Sequence, residues 1–209
     1  MATRVKPWLI VFVRAPRYGA VKRRLAAGIG RAAAWRFYRR CSDDVARRLG
    51  GDRRWVTVVA VTPDRFARAG QFWPGHLPRI GQGSGDIGRR MSRALGSGPG
   101  GSVVIVGGDI PTITCRHVAA AFAALGRHDA VLGPAADGGY WLIGLRHGGG
   151  RRDLFANVRW SSEHAMADTL ANFDRRYRVK CLDQLQDIDT ASDYWAWRAA
   201  ATPRRWEAS

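Results

Sequence analysis

Residues 103–111 read VVIVGGDIP: four β-branched residues, then two glycines, an aspartate, an isoleucine and a proline. Because the run is apolar on both faces and follows Gly98-Pro99-Gly100-Gly101, it predicts a strand buried in the middle of a parallel sheet. The strand should end at Gly107 and Gly108, where the missing Cβ atoms let another molecule approach the backbone. Asp109 then lies at the carboxyl end of a central strand, where open α/β sheets bind ligands. The alternative is that Asp109 only caps or closes the turn.

Apolar runs of the same kind recur along the chain and alternate with helical patterns, which is the arrangement of βαβ units. They predict strands at Trp8–Val13, Trp55–Val61, Arg79–Ile80, Ala130–Gly133, Tyr140–Leu145 and Tyr177–Leu182. Helical patterns follow at Leu25–Leu49, after Thr114, after Ser161 or Ser162, and at Ser192–Ala200. We expect residues 1–209 to form a single α/β domain, a three-layer α/β/α sandwich with one mostly parallel mixed sheet.

The chain is strongly basic, with a formal net charge of +17 from 34 basic and 17 acidic residues. Such a charge attracts anionic substrates and polyanions in general, so a basic polyanion-binding module is one hypothesis. The arginines are spread along the chain without a single tract, and no specific nucleic-acid partner is expected. No apolar run reaches about 18 residues, so no membrane span is predicted. Met1–Arg4 leads directly into the first strand, which predicts no signal peptide and a cytoplasmic location.

The loop after the first predicted strand, Ala15–Leu25, turns into a helix and contains lysine and arginine side chains. A helix N-terminus with free N–H groups and nearby cations suits an anion such as a phosphate. Because residues two apart on a helix do not share a face, Lys22 and Arg24 can reach one phosphate chain only at the junction between loop and helix. The alternative is a solvated basic helix end.

Two further aspartates, Asp187 and Asp189, precede the last predicted helix. Alternate residues of an extended segment project to the same side, so both carboxylates can face one ligand. Magnesium usually takes one or two carboxylates from the protein and its other ligands from phosphate and water. Asp109 with one of this pair would meet that requirement. The alternative is that one of the two aspartates only caps the helix.

Two glycine-containing segments are less specific signals. Gly81–Gly88 lacks the glycine spacing of a dinucleotide fingerprint. The turn Ala136–Gly139 separates two predicted strands, so it closes a hairpin or lines a pocket.

Six motifs in a fixed order tie these segments together. They are Ala15-Pro-x-x-Gly19-x-x-Lys22-x-Arg24-Leu25, Gln82-x-Gly-x-Asp86-Ile-Gly88-x-Arg90-Met91, Gly107-Gly-Asp109-x-Pro111, Gly133-Pro-Ala-x-Asp137-Gly-Gly-Tyr140, Trp160-Ser161 and Asp187-Ile-Asp189-Thr190. The series resembles the bacterial GT-A-like transferases, often described as glycosyltransferases associated with radical-SAM or selenium-containing domains, in the nucleotide-diphospho-sugar transferase superfamily. It is also similar to 2-phospholactate guanylyltransferase, through the Lys-x-Arg-Leu element and the strand-end aspartate. The resemblance extends from Trp8 to Trp195.

This resemblance implies a GT-A-like fold, with a nucleotide bound beside the first strand and a Mg²⁺ or Mn²⁺ ion near the aspartates. The expected nucleotide-binding residues are Ala15, Pro16, Gly19, Lys22, Arg24, Gln82, Gly107 and Gly108. The expected catalytic residues are Lys22, Arg24 and Asp109, and the expected metal ligands are Asp109, Asp189 and Asp187. We expect the acceptor at Asp86, Asp137, Gly138, Gly139 and Tyr140. The chain departs from the family at Arg89, which places a positive charge where the family usually has glutamate.

The choice between two reactions depends on where charge develops. In nucleotidyl transfer from a nucleoside triphosphate, an acceptor oxygen attacks the α-phosphorus and pyrophosphate leaves, so cations are needed at the β- and γ-phosphates. The cluster Lys22-Arg23-Arg24 favours this reaction, with a small anionic or hydroxylated acceptor. In glycosyl transfer from a nucleotide sugar, a metal alone can neutralise the leaving nucleoside diphosphate. The Asp-x-Asp at Asp187 and Asp189 favours this alternative.

Overall fold

The computed structural model describes residues 5–69, 72–146 and 153–201. Within those residues, seven strands form one sheet: β1 (Trp8–Arg14), β2 (Val56–Thr62), β3 (Arg79–Gly81), β4 (Val103–Gly107), β5 (Ala130–Pro134), β6 (Tyr140–Leu145) and β7 (Val179–Cys181). The helices are α1 (Arg23–Ile29), α2 (Arg31–Gly50), α3 (Arg65–Ala69), α4 (Ile87–Leu95), α5 (Cys115–Leu125), α6 (Ala165–Ala171) and α7 (Ala191–Ala201).

The sheet is mixed and mostly parallel, with the strand order β3-β2-β1-β4-β6-β5-β7. β1 pairs in parallel with β2 and β4, β2 with β3, and β5 with β7. β6 runs antiparallel to both of its neighbours, β4 and β5, and forms a hairpin with β5. The start of β6 at Tyr140 therefore lies at the same edge of the sheet as the carboxyl ends of β1 and β4.

Helices cover both faces of the sheet. On one face, Leu9 and Val11 of β1 pack in a cluster that includes Leu49 of α2 and Leu125 of α5. On the other face, Ile10 of β1 packs in a second cluster, which includes residues of α4 and α6. This alternation along β1 gives three layers, and the predicted α/β/α sandwich is confirmed. That residues 1–209 form a single domain stays a prediction.

Two predicted helix boundaries are wrong. The pattern from Leu25 to Leu49 forms two helices, since Gly30 has a φ of 85°, a left-handed value that a continuous helix does not allow. The helix expected after Ser161 or Ser162 begins only at Ala165, because Ser161 itself has a φ of 60°. Across the described residues, no helix combines the length and the apolar character needed to cross a bilayer.

Asp193 fixes the start of α7 and the segment before it. Its carboxylate accepts hydrogen bonds from the backbone N–H groups of Asp189 (3.1 Å) and Thr190 (2.7 Å) and from the Thr190 hydroxyl (2.8 Å). The Thr190 hydroxyl in turn accepts from the backbone N–H of Asp193, which completes a capping box. The helix cap thus lies at Thr190 and Asp193 and leaves the carboxylates of Asp187 and Asp189 to the site described below.

We expect Asp193→Ala to lower the free energy of unfolding by about 1 kcal/mol, the usual cost of losing a helix cap. Urea denaturation followed by tryptophan fluorescence measures the change. The matched control is Asp44→Ala, which removes an exposed carboxylate with an oxygen 3.7 Å from Nε of Arg40. Its effect should be close to zero. Equal losses in the two variants would contradict the capping role.

Candidate functional site

Three aspartates from two distant segments meet at the carboxyl edge of the sheet. Asp109 follows β4, whereas Asp187 and Asp189 come from the extended segment before α7. One carboxylate oxygen from each lies within 4.8 Å of the corresponding oxygens of the other two. The structure therefore brings together all three residues that were predicted as metal ligands.

The predicted alternation along residues 187–189 explains how both carboxylates reach this cluster. Ile188 is 3% exposed and packs in a small apolar core with Leu25 of α1 and Ala34 of α2. Since neighbouring side chains of an extended segment point to opposite sides, burial of Ile188 turns Asp187 and Asp189 towards Asp109.

The Lys22 ammonium lies between two of the aspartates. Its Nζ is 2.8 Å from Oδ2 of Asp109 and also forms an ion pair with Oδ1 of Asp189. The side chain is only 5% exposed. Burial alone lowers the pKa of a lysine, but the two carboxylates outweigh burial and raise the pKa of Lys22 above its ordinary value. Lys22 is therefore a permanent cation in the acidic cluster.

The backbone at Lys22 shows that this position is imposed by its surroundings. Lys22 immediately precedes α1 with φ 48° and ψ 50°, the left-handed region that non-glycine residues seldom adopt. Such a conformation costs on the order of 1–3 kcal/mol and persists where neighbouring contacts determine it. Arg24, the other predicted phosphate ligand, is 72% exposed and lies 3.7 Å from Asp189. Of the two predicted phosphate-binding cations, Lys22 is therefore paired with carboxylates, whereas Arg24 is exposed to solvent.

The pKa of Asp187, a member of this cluster, is raised above its ordinary value. Burial raises its pKa to about 6, and repulsion by Asp189 and Asp109 acts in the same direction, while Lys22 opposes them. The cluster therefore has one carboxyl group that takes up a proton just below neutral pH.

The donor set fits a hard divalent cation. Mg²⁺ and Mn²⁺ prefer oxygen ligands, and a protein site for them commonly has one or two carboxylates, with phosphate and water completing the shell. Asp109, Asp187 and Asp189 offer three carboxylate oxygens in one place. A cation that binds Asp109 and Asp189 shares these two carboxylates with the Lys22 ammonium.

Two cavities meet at the cluster. The first, of about 520 Å³, is lined by the cations of Arg14, Lys22, Arg23 and Arg24. The second, of about 560 Å³, lies over β4 and β6 on the α4 side of the sheet. Asp109 and Ser161 line both cavities, so a molecule in one lies next to a molecule in the other. We refer to them as the basic cavity and, after the predicted acceptor residues that line it, the acceptor cavity.

Most of the predicted acceptor residues line the acceptor cavity. They are Asp86, Asp137, Gly139 and Tyr140. Asp86 also caps α4, since its carboxylate accepts a hydrogen bond from the backbone N–H of Arg89 (2.8 Å). Gly138 does not line the cavity, and its carbonyl accepts a hydrogen bond from the Met166 N–H (3.0 Å), which ties the turn to α6.

Several of the predicted nucleotide-binding residues have structural roles in the protein itself. The Gln82 side chain is buried, donates to the carbonyls of Val13 and Ala60 (2.9 Å each) and accepts from Arg90 (2.9 Å). A Cβ at Gly108 would collide with the side chain of Val13, so close packing alone requires this glycine. That these two residues contact a nucleotide stays a prediction.

The other predicted nucleotide residues form the loop after β1 and the end of β4. Ala15 is buried and its N–H donates to the Thr62 carbonyl (2.8 Å), while the Pro16 carbonyl accepts from the Trp35 indole (2.7 Å). These bonds fix the backbone that leads into the basic cavity. Gly19 has open space around its Cα, and Gly107 lines the acceptor cavity.

Sequence reasoning missed Tyr38 and Ser161 as site residues. The Tyr38 hydroxyl donates to the carbonyl of Arg14 (3.0 Å) and accepts from its N–H (2.9 Å), which braces the end of β1 beside the basic cavity. Burial raises the pKa of Tyr38, and Asp109 adds to this shift, so the phenol stays neutral. In the sequence, Tyr38 is recognisable only as one residue of a helical pattern, so nothing pointed to a site. Ser161 could have been found, because it belongs to the Trp160-Ser161 motif.

Comparison with known proteins assigns the chain to a family. A family model described as "Uncharacterized protein conserved in bacteria (DUF2064)" matches residues 45–162, more than half of the chain. The chain belongs to this family. The segment matched by DUF2064 includes Asp109 and most of the acceptor cavity, whereas Lys22, Asp187 and Asp189 lie outside it. No curated protein matches the sequence.

Solved structures share the fold over nearly the whole chain. A protein from Desulfovibrio desulfuricans G20, provisionally assigned as a nucleotide-diphospho-sugar transferase, is 28% identical, with a TM-score of 0.83 over 98% of this chain and 92% of that one. The 4-diphosphocytidyl-2C-methyl-D-erythritol synthase from Anaerococcus prevotii DSM 20548 is 13% identical, with a TM-score of 0.60 over 94% and 98%. Rv0371C from Mycobacterium tuberculosis H37Rv, solved with manganese, is 17% identical, with a TM-score of 0.55 over 93% and 98%. The predicted GT-A-like transferase fold and family are confirmed.

The raised pKa of Asp187 predicts a pH-dependent metal affinity. We expect Mn²⁺ to bind more weakly as the pH falls from 7.5 to 5, because Asp187 takes up a proton near pH 6 and a protonated carboxyl group is a poor metal ligand. Isothermal titration calorimetry with MnCl₂ measures the dissociation constant. In Asp187→Asn, binding should be weaker at pH 7.5 and nearly flat between pH 7 and 5.5. The control is Asp44→Asn, at an exposed aspartate of α2 that is not among the charges acting on Asp187, and its dissociation constant should depend on pH as that of the wild type does. If the dissociation constant of Asp187→Asn depended on pH as strongly as that of the wild type, the assignment of Asp187 would be contradicted.

The same pKa shift predicts how stability changes with pH when no metal is added. The folded chain holds a proton on Asp187 up to about pH 6, whereas the ordinary aspartate pKa is 3.8. The folded state therefore binds more protons between these values, and the Asp187 contribution to stability is lost as the pH rises through this window. We expect the free energy of unfolding to fall less from pH 4 to pH 7 in Asp187→Asn than in the wild type. Denaturation of both proteins at the two pH values measures this difference.

Proposed function

We propose that this protein is a metal-dependent transferase that moves a nucleotidyl group from a nucleoside triphosphate to a small hydroxylated acceptor. The observation that carries the proposal is the position of the acidic cluster between two cavities of different character. The basic cavity suits a polyphosphate, the cluster suits a divalent cation, and the acceptor cavity has room for a second molecule. Two substrates side by side at one charged centre are what group transfer requires.

The basic cavity supports a triphosphate donor. Arg23 and Arg24 are exposed at its rim, while Arg14 at the end of β1 and Lys22 just before α1 line it. Several cations in one cavity match the three phosphates of a nucleotide and the charge that develops on leaving pyrophosphate. Under this proposal, Arg23 and Arg24 bind the outer phosphates, and Lys22 stabilises charge at the centre.

The acidic cluster supports metal dependence. Asp109, Asp187 and Asp189 would hold Mg²⁺ or Mn²⁺, which when bound neutralises phosphate oxygens and orients the reacting phosphorus. Asp109 lines both cavities, so an acceptor hydroxyl in the acceptor cavity lies beside the phosphates in the basic one. Manganese in Rv0371C, which has the same fold, agrees with this part of the proposal.

Glycosyl transfer from a nucleotide sugar is the second candidate. The protein from D. desulfuricans, similar over nearly the whole chain, is provisionally assigned as a nucleotide-diphospho-sugar transferase. The Asp187-Ile188-Asp189 segment, with both carboxylates at the cluster, would also suit the diphosphate of such a donor. Both reactions use the same metal site, and they differ in the group that leaves.

Nucleotide binding should depend on the metal. A nucleoside triphosphate or a nucleotide sugar at about 100 times its dissociation constant should add ~2.7 kcal/mol of stability with Mg²⁺ or Mn²⁺, and far less with EDTA. Thermal unfolding with a panel of nucleotides measures the shift. Asp109→Asn should stay folded, because the asparagine oxygen can still accept from Lys22, and should lose both the shift and turnover.

Two outcomes would contradict this prediction. No metal-dependent shift with any nucleotide would argue against the enzyme. Binding of a generic polyanion such as heparin that weakens steeply with salt and is equal in wild type and Asp109→Asn would favour a basic polyanion-binding module instead.

Product analysis separates the two reactions. With γ-³²P-labelled triphosphates and a cell extract as the source of acceptor, nucleotidyl transfer should release labelled pyrophosphate. The release should disappear in Asp109→Asn. Release of nucleoside diphosphate from a nucleotide sugar, with no pyrophosphate from any triphosphate, would overturn nucleotidyl transfer in favour of glycosyl transfer.

A further inference from the structure

The floor of the acceptor cavity is apolar. Phe12 of β1, Ile105 of β4 and Ile143 of β6 line it, and Ile105 and Ile143 are directly paired across the two strands. Gly107 is the strand partner of Phe12, and a Cβ at this position would lie 3.0 Å from the Asp109 carboxylate and 3.0 Å from the Ile110 side chain. Burying an apolar surface of the acceptor against this floor is favourable because that surface leaves water.

One wall of the cavity is aromatic and held in place. The rings of Tyr140 and Trp160 meet edge to face, with centroids 6.4 Å apart. Behind them, Phe155 packs against Trp160 at 5.9 Å. A Cβ at Gly88 would lie 2.8 Å from the Trp160 ring, so the indole fills the space that this glycine leaves. A fixed aromatic wall suits a ligand with a flat or apolar face.

The charged groups around the cavity are mostly carboxylates. Asp86, Asp109, Asp137 and Asp187 line it. Among its described lining residues the single cation is Arg90, which donates to the side-chain oxygen of Gln82 (2.9 Å) and to the Asp86 carbonyl (3.2 Å). Carboxylates accept hydrogen bonds from hydroxyl groups and repel anions.

We infer that the acceptor is an uncharged hydroxylated molecule with an apolar or flat face, and that the cavity discriminates against phosphorylated and carboxylated acceptors. The inference rests on the proposed function, since Asp109 marks where the acceptor hydroxyl reacts. The apolar floor and the Trp160 wall bind the body of the molecule, and the carboxylates accept its hydroxyl hydrogens. Asp109 and Asp187 would be bound to the metal, so an anionic group in the same position meets the two remaining carboxylates, Asp86 and Asp137. The guanidinium of Arg90 is already bonded.

The test compares pairs of probes that differ by one anionic group: glucose with glucose 6-phosphate, and benzyl alcohol with 4-(hydroxymethyl)benzoate. Binding to the full chain with Mg²⁺ and a non-hydrolysable triphosphate is measured by ligand-observed NMR titration. The neutral member of each pair should bind on the order of tenfold more tightly. Asp137→Asn should reduce that ratio, because it removes one carboxylate and keeps an oxygen for the bond from the Gly139 N–H.

Trp160→Ala tests the aromatic wall. It should weaken the binding of the neutral probes, whereas Trp195→Ala, at an exposed indole of α7 outside the cavity, should leave it unchanged. The inference is overturned if the anionic probes bind as tightly as their neutral partners. It is also overturned if the neutral probes bind as tightly to Trp160→Ala as to the wild type.

Triphosphate binding is measured in the same samples, which separates this inference from the proposed function. If triphosphate binding depends on the metal but the anionic probes bind more tightly than the neutral ones, the acceptor class is wrong and the proposed function stands. Loss of triphosphate binding means that the proposed function itself fails.

Discussion

The ion pairs of Lys22 with Asp109 and Asp189 are the constraint on which the site depends. Three carboxylates within 4.8 Å of one another repel, and without a cation among them the end of β4 and the segment before α7 would be forced apart. The ammonium compensates for this repulsion and is 5% exposed, so its pairing is little screened by solvent. Lys22 has a left-handed backbone immediately before α1, and this conformation accompanies its position among the carboxylates.

The same interaction sets the boundary between the two cavities. Cations line one side of the cluster, while apolar and acidic groups line the other, and Asp109 belongs to both. Secondary structure explains this division, because α1 and the loop after β1 approach from one side, and β6 with its turn from the other. The antiparallel direction of β6 is essential, since it places Tyr140 at the carboxyl edge of otherwise parallel neighbours. A GT-A-like fold thereby has room for two ligands at one charged centre.

Much of this arrangement could be predicted from sequence. The apolar run ending at Asp109 located the edge of the sheet, and the alternation around Ile188 placed Asp187 and Asp189 on one side. The contact of Lys22 with those aspartates could not be predicted, because it depends on a left-handed backbone that only tertiary contacts stabilise. The sequence suggested phosphate for this lysine, and the structure pairs it with carboxylates. The capping role of Asp193 was missed for a related reason, since Asp187 and Asp189 were equally plausible caps by spacing.

A crystal structure of the protein with Mn²⁺ and a non-hydrolysable triphosphate would show whether the aspartate cluster holds a metal between the two cavities. Anomalous scattering at the manganese edge locates the ion. We expect one strong anomalous peak in contact with carboxylate oxygens of Asp109 and Asp189 and with phosphate oxygens of the nucleotide. The polyphosphate should lie in the basic cavity, with the Lys22 ammonium still beside the cluster. A peak remote from these aspartates would mean that they do not hold the metal, and a nucleotide bound outside the basic cavity would mean that this cavity is not the phosphate site.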